Sequence, residues 1–457
     1  MNDKVTFRSI IVSGMGVFSD GYNLYSIALV TYTLTETFRL NAFEEGLLVG
    51  MSYFGAALSA LLFGVVSDFA GRKKMYGIDV FLMALGSLFQ ALSTNYLELL
   101  VSRFVIGMGV GADYVLSPVI VAENAAARKR GMAMILTFAF MWGMGAVVAA
   151  FVDQVTQVLG ISQDLSWRIV LGFGAVPAFS VFYLRRRIAE TLMFLARIKP
   201  VEEELRLLEK EFKLRLTPSL DATPYRKRLA GSALMVLVGS VLWMLYDMYS
   251  STFAIYGPIT IAYNLGLNAI TFTYLAQFGA GIPGQVISML LVDRVGRKRL
   301  IVIGYAGVAV WLALYGLLLM YPQLFGYNFK VTDVLHAAES LTDGAAVLGM
   351  AFYMLNYLFA AIGPASIIGS GMVTPEIVPT KVRGTAQAIS VAADRLFTGF
   401  VVGSFPSLIA SVGLGVMVAS YSLIALVSAL ITLFLVPEMK GRELEDLRAS
   451  SSSASLS

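Results

Sequence analysis

Apolar residues run through this chain in long blocks separated by short polar stretches, a pattern unlike the period-2 or period-3.6 alternation of soluble elements. A helix needs about 20 mostly apolar residues to cross a hydrocarbon core. Twelve segments qualify: 8–34, 44–66, 75–93, 97–122, 131–152, 167–187, 229–256, 269–292, 300–320, 345–371, 383–409 and 413–436. Helices are expected because each satisfies its own backbone hydrogen bonds, which lipid cannot do. Met1–Arg8 carries one acid and two bases, and no small-residue cleavage site follows it. The first block is therefore expected to be a span and not a cleaved signal peptide.

The polar stretches alternate in charge. Arg72, Lys73 and Lys74 follow span 2, and Arg128, Lys129 and Arg130 follow span 4. Arg294, Arg297, Lys298 and Arg299 follow span 8, and a dozen bases lie between Arg185 and Arg228. The opposite loops hold Arg39 and Lys330 as their clear bases. The positive-inside rule then puts both termini and the long central stretch in the cytosol, with the plasma membrane as the expected location. The chain divides into a six-span unit at 1–187, a linker at 188–228, a second six-span unit at 229–437 and a tail at 438–457. Within the linker, Glu202–Arg215 is expected as an amphipathic solvated helix ended by Pro218 and Pro224. The Ser-rich tail after Arg448 is expected to be disordered.

Composition supports the membrane class: of 457 residues, 57% are hydrophobic and 14% charged, against about 25% charged in a soluble domain. There is no cysteine and one histidine, His336. That excludes disulfide scaffolds, thiolate metal sites, thiol catalysis and paired-histidine haem. His336 falls in the longest external loop with no second metal ligand near it, so a surface role is expected. No cofactor, no metal and no enzymatic activity are expected. The net charge of +4 comes from loop clusters, so nucleic acid is not an expected partner.

The two units repeat each other. Asp68-Phe-Ala-Gly71-Arg72-Lys73 follows span 2, and Asp293-Arg-Val-Gly296-Arg297-Lys298 follows span 8. Glu123 precedes Arg130-Gly131 after span 4, and Glu376 precedes Arg383-Gly384 at the same interval after span 10. Such repeats mark secondary transporters. Glycine permits a tight reversal, and the flanking acids and bases could pair across the helix ends to hold one conformation closed. The alternative is that the bases only set topology.

These turns, together with Arg103-x-x-x-Gly107-x-Gly109-x-Gly111 in span 4 and Pro437-Glu438-x-Lys440-Gly441-Arg442 after span 12, resemble the major facilitator superfamily along the whole chain. The resemblance implies an all-α membrane fold of twelve transmembrane helices in two pseudo-symmetric six-helix bundles, acting as a monomer. It also implies that spans 1, 4, 7 and 10 line a central cavity.

Of the ionisable residues inside spans, five stand out: Asp20, Arg103, Asp113, Asp247 and Arg395. Such groups are costly and are functional candidates by default. A buried carboxyl can hold a proton at neutral pH, so Asp20, Asp113 and Asp247 are candidates for proton coupling. The other reading makes them structural acids paired with Arg103 or Arg395. Asp20 and Asn23, at i and i+3, share a helix face. Arg395 could bind an anion through its planar fork or neutralise an acid. Arg103 is expected to be structural.

Gly109-Val-Gly111-Ala-Asp113-Tyr114 resembles a stretch of the proton-coupled phosphate symporters, and Asp20, Trp243 and Asp247 match acids and a tryptophan of that branch. Tyr114 and Trp243 would then contact solute. The departures are Asn23 for an acid, Trp142 for a glutamine, Ser251 for a tyrosine, Ala365 for an asparagine and Arg395 for a lysine. Asp20-Gly-Tyr-Asn also resembles the start of aromatic-acid symporters, and the paired glutamines of sugar porters are absent from span 7. Proton-coupled symport of a small organic carboxylate is therefore the leading expectation, with Asn23, Tyr114, Trp142, Trp243, Ser251 and Arg395 at the solute. Phosphate or sugar symport is the close alternative, and a non-transporting sensor on the same fold is a further one. Gly363-Pro364, Gly369, Gly371 and Pro375 mark span 10 as a gating helix.

Overall fold

The computed structural model describes residues 3–212, 220–328, 343–442 and 444. His336, Lys330, Arg215, Pro218 and the Ser-rich tail lie outside the described residues. Among the described residues every regular element is a helix. The twelve spans appear as Asp3–Phe38, then Ala42–Ala70, Arg72–Leu92, Tyr96–Asn124, Arg130–Val158 and Gln163–Arg186, followed by Tyr225–Asn264, Ala269–Val295, Arg297–Met320, Gly344–Ile367, Thr380–Val412 and Leu414–Leu435. The last eleven are long and apolar enough to cross a membrane. The first falls short of that apolarity because Ser13, Ser19, Asp20, Asn23 and Ser26 dilute it, and all five are buried inside the bundle. Leucine, valine and phenylalanine side chains such as Leu62, Val101, Phe400 and Phe434 point outward instead. That is the distribution lipid requires.

Local sequence explains where the spans begin and break. Asn41 caps span 2: its side chain accepts from the Phe43 and Glu44 backbone N–H groups at 3.0 Å, and Glu44 returns the bond to the Asn41 N–H at 3.0 Å. Gly71 and Gly296 end spans 2 and 8 at φ of 99° and 110°, a region that favours glycine. Span 10 breaks at Gly363 before Pro364, whose ring cannot continue the helix, and restarts as Pro364–Ile367. Three spans carry a wide π-helical turn: Leu136–Phe140 in span 5, Gly257–Ile261 in span 7 and Gln277–Gly281 in span 8. Such turns cluster at functional sites.

The first six and last six spans meet chiefly where span 2 packs on span 11 and span 5 on span 8. The linker forms two short helices, Leu192–Arg197 and Glu202–Phe212. They lie at the end of the bundle that carries the basic loops, where Lys73 pairs with Glu204.

Candidate functional site

A central cavity of about 110 Å³ lies between the two units. A water needs roughly 10–15 Å³ of such space, so the volume suits one small solute. Spans 1, 2, 4, 5, 7, 8, 10 and 11 contribute to its wall. Two of the π-helical turns present residues to it, Phe138 and Ala139 from span 5 and Gln277 from span 8.

Of the residues expected at the solute, Tyr114, Trp142, Ser251 and Arg395 line the cavity, and so does Asp247. Trp243 is buried behind the wall, 6.3 Å from Tyr114 between ring centroids. Asn23 does not line it. Its amide donates to the Ser19 and Gly174 carbonyls at 2.9 and 3.4 Å and accepts from Ser87 at 2.7 Å, which turns it toward spans 3 and 6. The i, i+3 rule puts Asn23 near Asp20 along the helix, yet the packing of span 1 turns the two side chains to different neighbours.

Arg395 carries the cavity's positive charge. Its Nη1 bonds Asp247 at 2.7 Å and its Nε lies 3.4 Å from Asp394. Its guanidinium stacks 4.3 Å over the Tyr114 ring. Pairing and stacking thus occur together at this side chain, a use suited to a planar guanidinium. The opposite wall is polar but uncharged. Gln277 donates to Tyr357 at 2.9 Å, while the side-chain oxygens of Gln277, Gln285 and Asn356 have no partner among the described residues. Gln277 and Gln285 share span 8 and Asn356 lies on span 10, each among mostly apolar sequence neighbours, so hydropathy does not single them out.

Asp20 and Asp113 are fully buried but sit outside the cavity. Asp113 pairs with Arg185 at 2.8 Å, and Arg185 also pairs with Asp79. The sequence placed Arg185 among linker bases and passed over Asp79. Arg103 takes up structural bonds, to the Asn23 carbonyl at 2.9 Å and Ser52 Oγ at 3.0 Å.

The repeated turns meet at the basic-loop end. Asp68 accepts from the Gly384 and Thr385 N–H groups at 2.9 and 2.8 Å, capping span 11 of the other unit. Asp293 does the same for span 5, accepting from Gly131 and Met132 at 3.1 and 2.9 Å. Arg72 bonds Glu123 at 3.0 Å and the Thr380 carbonyl across the units at 3.1 Å. Glu123 also binds Arg383 at 3.0 Å. In the second set Arg297 binds Glu376 at 3.0 Å, and Arg130 approaches Glu376 at 4.0 Å. Two further acids complete the pattern: Glu190 accepts from the Arg72 N–H at 3.2 Å, and Glu438 from the Arg297 N–H at 3.0 Å. A Cβ on Gly71 or Gly296 would meet these carboxylates. Glu438 stood in a recognisable motif, whereas Glu190 follows span 6 without one.

A profile of the family described as "Sugar (and other) transporter" matches residues 9–450. The low affinity inorganic phosphate transporter 8 of Medicago truncatula is 28% identical over 96% of this chain and 90% of its own length. The inorganic phosphate transporter 1-2 of Oryza sativa subsp. japonica is 27% identical, with 96% and 93% covered. Among solved structures, the major facilitator superfamily proton:xylose symporter XylE bound to 6-bromo-6-deoxy-D-glucose matches with a TM-score of 0.81 at 22% identity, over 98% of this chain and 99% of that one. The inward-open conformation of the xylose transporter XylE from E. coli gives 0.70 at 22% identity, over 97% and 99%. These structures share the fold. The expectation of an organic carboxylate finds no support among these relatives, whose names state phosphate and xylose.

Proposed function

The chain belongs to the sugar (and other) transporter family of the major facilitator superfamily, and from that premise we propose that it is a proton-coupled symporter of phosphate. It works by alternating access, with residues 1–187 and 229–437 as the rocking units, 188–228 as their connector and 438–457 as a tail. It acts as a monomer in the plasma membrane, with both termini and the basic loops cytosolic. The observation that carries this reading is Arg395 in the cavity wall, paired with Asp247 at 2.7 Å. A guanidinium fork matches a phosphate oxyanion. One cation already faces two carboxylates there, so an arriving anion adds unbalanced charge unless a proton arrives with it. The anion takes Arg395 while a proton neutralises Asp247, which couples the two species at one site. Asp20, with the ion-paired Asp113 beside it, supplies the other coupling site.

The paired turns form the cytosolic gate, and their bonds across the units favour a state closed on that side. Gates complete in both units suit a transporter better than a sensor. A second reading, sugar symport, is favoured by the unpartnered amide oxygens of Gln277, Gln285 and Asn356, which suit hydroxyl donors. The test is proton influx into proteoliposomes holding the purified chain. Influx on adding inorganic phosphate and none on adding xylose supports the first reading. The reverse supports the second, and influx with neither sinks both.

A further inference from the structure

Below the cavity, toward the basic-loop end, four spans of the first unit enclose a second charged cluster. Arg185 reaches inward from the last turns of span 6. Its Nη1 pairs with Asp79 on span 3, and its Nη2 with Asp113 on span 4 at 2.8 Å. Nη2 also lies 3.5 Å from both the Ser13 carbonyl and Ser117 Oγ. The Tyr76 ring lies beneath the guanidinium at 4.1 Å, and its hydroxyl bonds Ser13 at 2.7 Å and Ser117 at 3.1 Å. Ser117 donates to Asp113 as well. Asp79 also accepts from the Gly77 and Val80 N–H groups at 2.8 Å. Asp20, on span 1, is the remaining charged neighbour. Both of its carboxyl oxygens are buried, and its carboxyl lies against that of Asp113 with no amide, hydroxyl or cationic donor bonded to it among the described residues.

The groups facing this cluster are thus Ser13, Gly16 and Asp20 from span 1, Tyr76 and Asp79 from span 3, Asp113 and Ser117 from span 4, and Arg185 from span 6. Three carboxyls share one guanidinium, and two of them take it. Gly16 makes this possible, because a Cβ there would fall on Arg185 Nη2 and against Asp113 Oδ2. Gly16 is one turn from Asp20, about 5.4 Å along the helix, so the guanidinium rests within a short swing of that carboxyl.

We propose that Arg185 is a positioning residue for proton coupling: it clamps Asp113 and Asp79, leaves Asp20 as the carboxyl that carries the proton, and turns to Asp20 when that proton leaves. This rests on the reading of the chain as a proton-coupled symporter. Loading places a proton on an Asp20 oxygen, so the cluster then has two carboxylates against one cation. Release toward the cytosolic side leaves a third carboxylate, which draws Nη2 from Asp113. The pair that held spans 4 and 6 together thereby becomes a pair between spans 1 and 6.

Infrared difference spectroscopy of the full chain in nanodiscs, across a pH series without solute, reads the carboxylic C=O bands directly. The wild type is expected to show a titrating band that Asp20→Asn removes. Arg185→Gln is expected to gain a further protonated-carboxyl band, because a buried carboxylate that loses its cation takes up a proton. Adding Asp113→Asn or Asp79→Asn to that variant should remove or halve the gain, and Arg185→Lys should restore the wild-type spectrum. Should Arg185→Gln fail to fold, Gly16→Ala keeps every charge yet displaces the guanidinium, and it should gain the same band. An Asp20→Asn spectrum that keeps every wild-type band overturns the proposal. So does an unchanged spectrum in Arg185→Gln, or in Gly16→Ala where that variant takes its place. If the bands behave as stated while neither phosphate nor xylose drives proton influx, the symport reading fails and the placement of Arg185 stands.

Discussion

Asp68→Asn should open the basic-loop side, the side proposed as cytosolic. The Asp68 carboxylate accepts two N–H bonds at the start of span 11, from Gly384 at 2.9 Å and Thr385 at 2.8 Å, and both cross between the units. Its pairing with Arg72 at 3.3 Å lies within one unit and survives opening, so it does not bias the gate. An asparagine keeps one acceptor oxygen and turns an NH2 group toward the other donor. The closed state then loses one bond to a charged acceptor, worth about 1.5–3 kcal/mol. It also loses the attraction of a negative charge to a helix N-terminus, worth about 0.3–1 kcal/mol. A total near 2–4 kcal/mol shifts the open-to-closed ratio by about 30- to 800-fold. The chain has no cysteine, so a single reporter is unambiguous. Ala388 is fully buried on span 11 against Gly64 of span 2 and is freed when these helices part. The labelling rate of Ala388→Cys with a charged maleimide applied from the basic-loop side should rise by that factor, until the open state becomes the majority. A rise below about threefold, or about 0.7 kcal/mol, would mean that these two bonds do not hold the gate.

Three further outcomes are expected. Asp20→Asn should abolish proton-driven accumulation in proteoliposomes while solute counterflow continues, and driven uptake at the wild-type rate would remove Asp20 from coupling. Arg395→Gln strands Asp247 and Asp394 in the protein interior, so thermal unfolding in detergent should reveal a loss of about 3–5 kcal/mol, whereas Arg395→Lys should recover most of it. Gln277→Leu, which deletes a cavity amide without adding charge, should weaken solute binding by about tenfold if the amide makes one good hydrogen bond to the solute; an unchanged apparent affinity would place the solute elsewhere in the cavity.

The fold was legible because membrane insertion writes itself into long, one-dimensional blocks. Each block need only be apolar on average, so all twelve positions could be read without knowing any contact. The ends were harder. Span 1 reaches Asp3–Phe38 instead of 8–34, because the helix runs on at both ends past the apolar block, through Lys4 and Thr6 before it and Thr35, Glu36 and Thr37 after it. Span 7 runs on through the π-helical turn at Gly257–Ile261 to Asn264, past the expected end at 256. Proline at 258 looks like a stop in sequence, yet the wider turn accommodates it. The gate turns were legible for another reason: each is a local motif whose glycine and acid sit at fixed spacing, and both copies occur. Their partners were only half visible. The notion of pairing across helix ends holds for Asp68 and Asp293, but the groups they meet are backbone N–H donors, which no side-chain pattern announces.

Arg185 shows why the second charged cluster stayed hidden. It stands first in the run Arg185-Arg186-Arg187, which by charge alone is a topology signal. Arg186 and Arg187 are exposed and act as such, whereas Arg185 is fully buried. Successive helix residues point about 100° apart, so one base of a terminal triplet can face the bundle while its neighbours face water. Which one turns inward depends on what waits there, and Asp79 and Asp113 lie on two other helices. Counting intramembrane charges along the sequence offered Asp113 only Arg103 or Arg395 as partners, whereas Arg185 takes that place. The same count gave Asp20 possible partners in Arg103 and Arg395, yet Arg103 is spent on Asn23 and Ser52, and Arg395 on Asp247 and Asp394. Under the proposed symport reading, charge balance within each cluster, and not the presence of an acid in a span, is what separates a proton carrier from a structural acid. By that criterion Asp20 takes precedence over Asp113, and the discriminating side chain is a base that the sequence assigns to the loop.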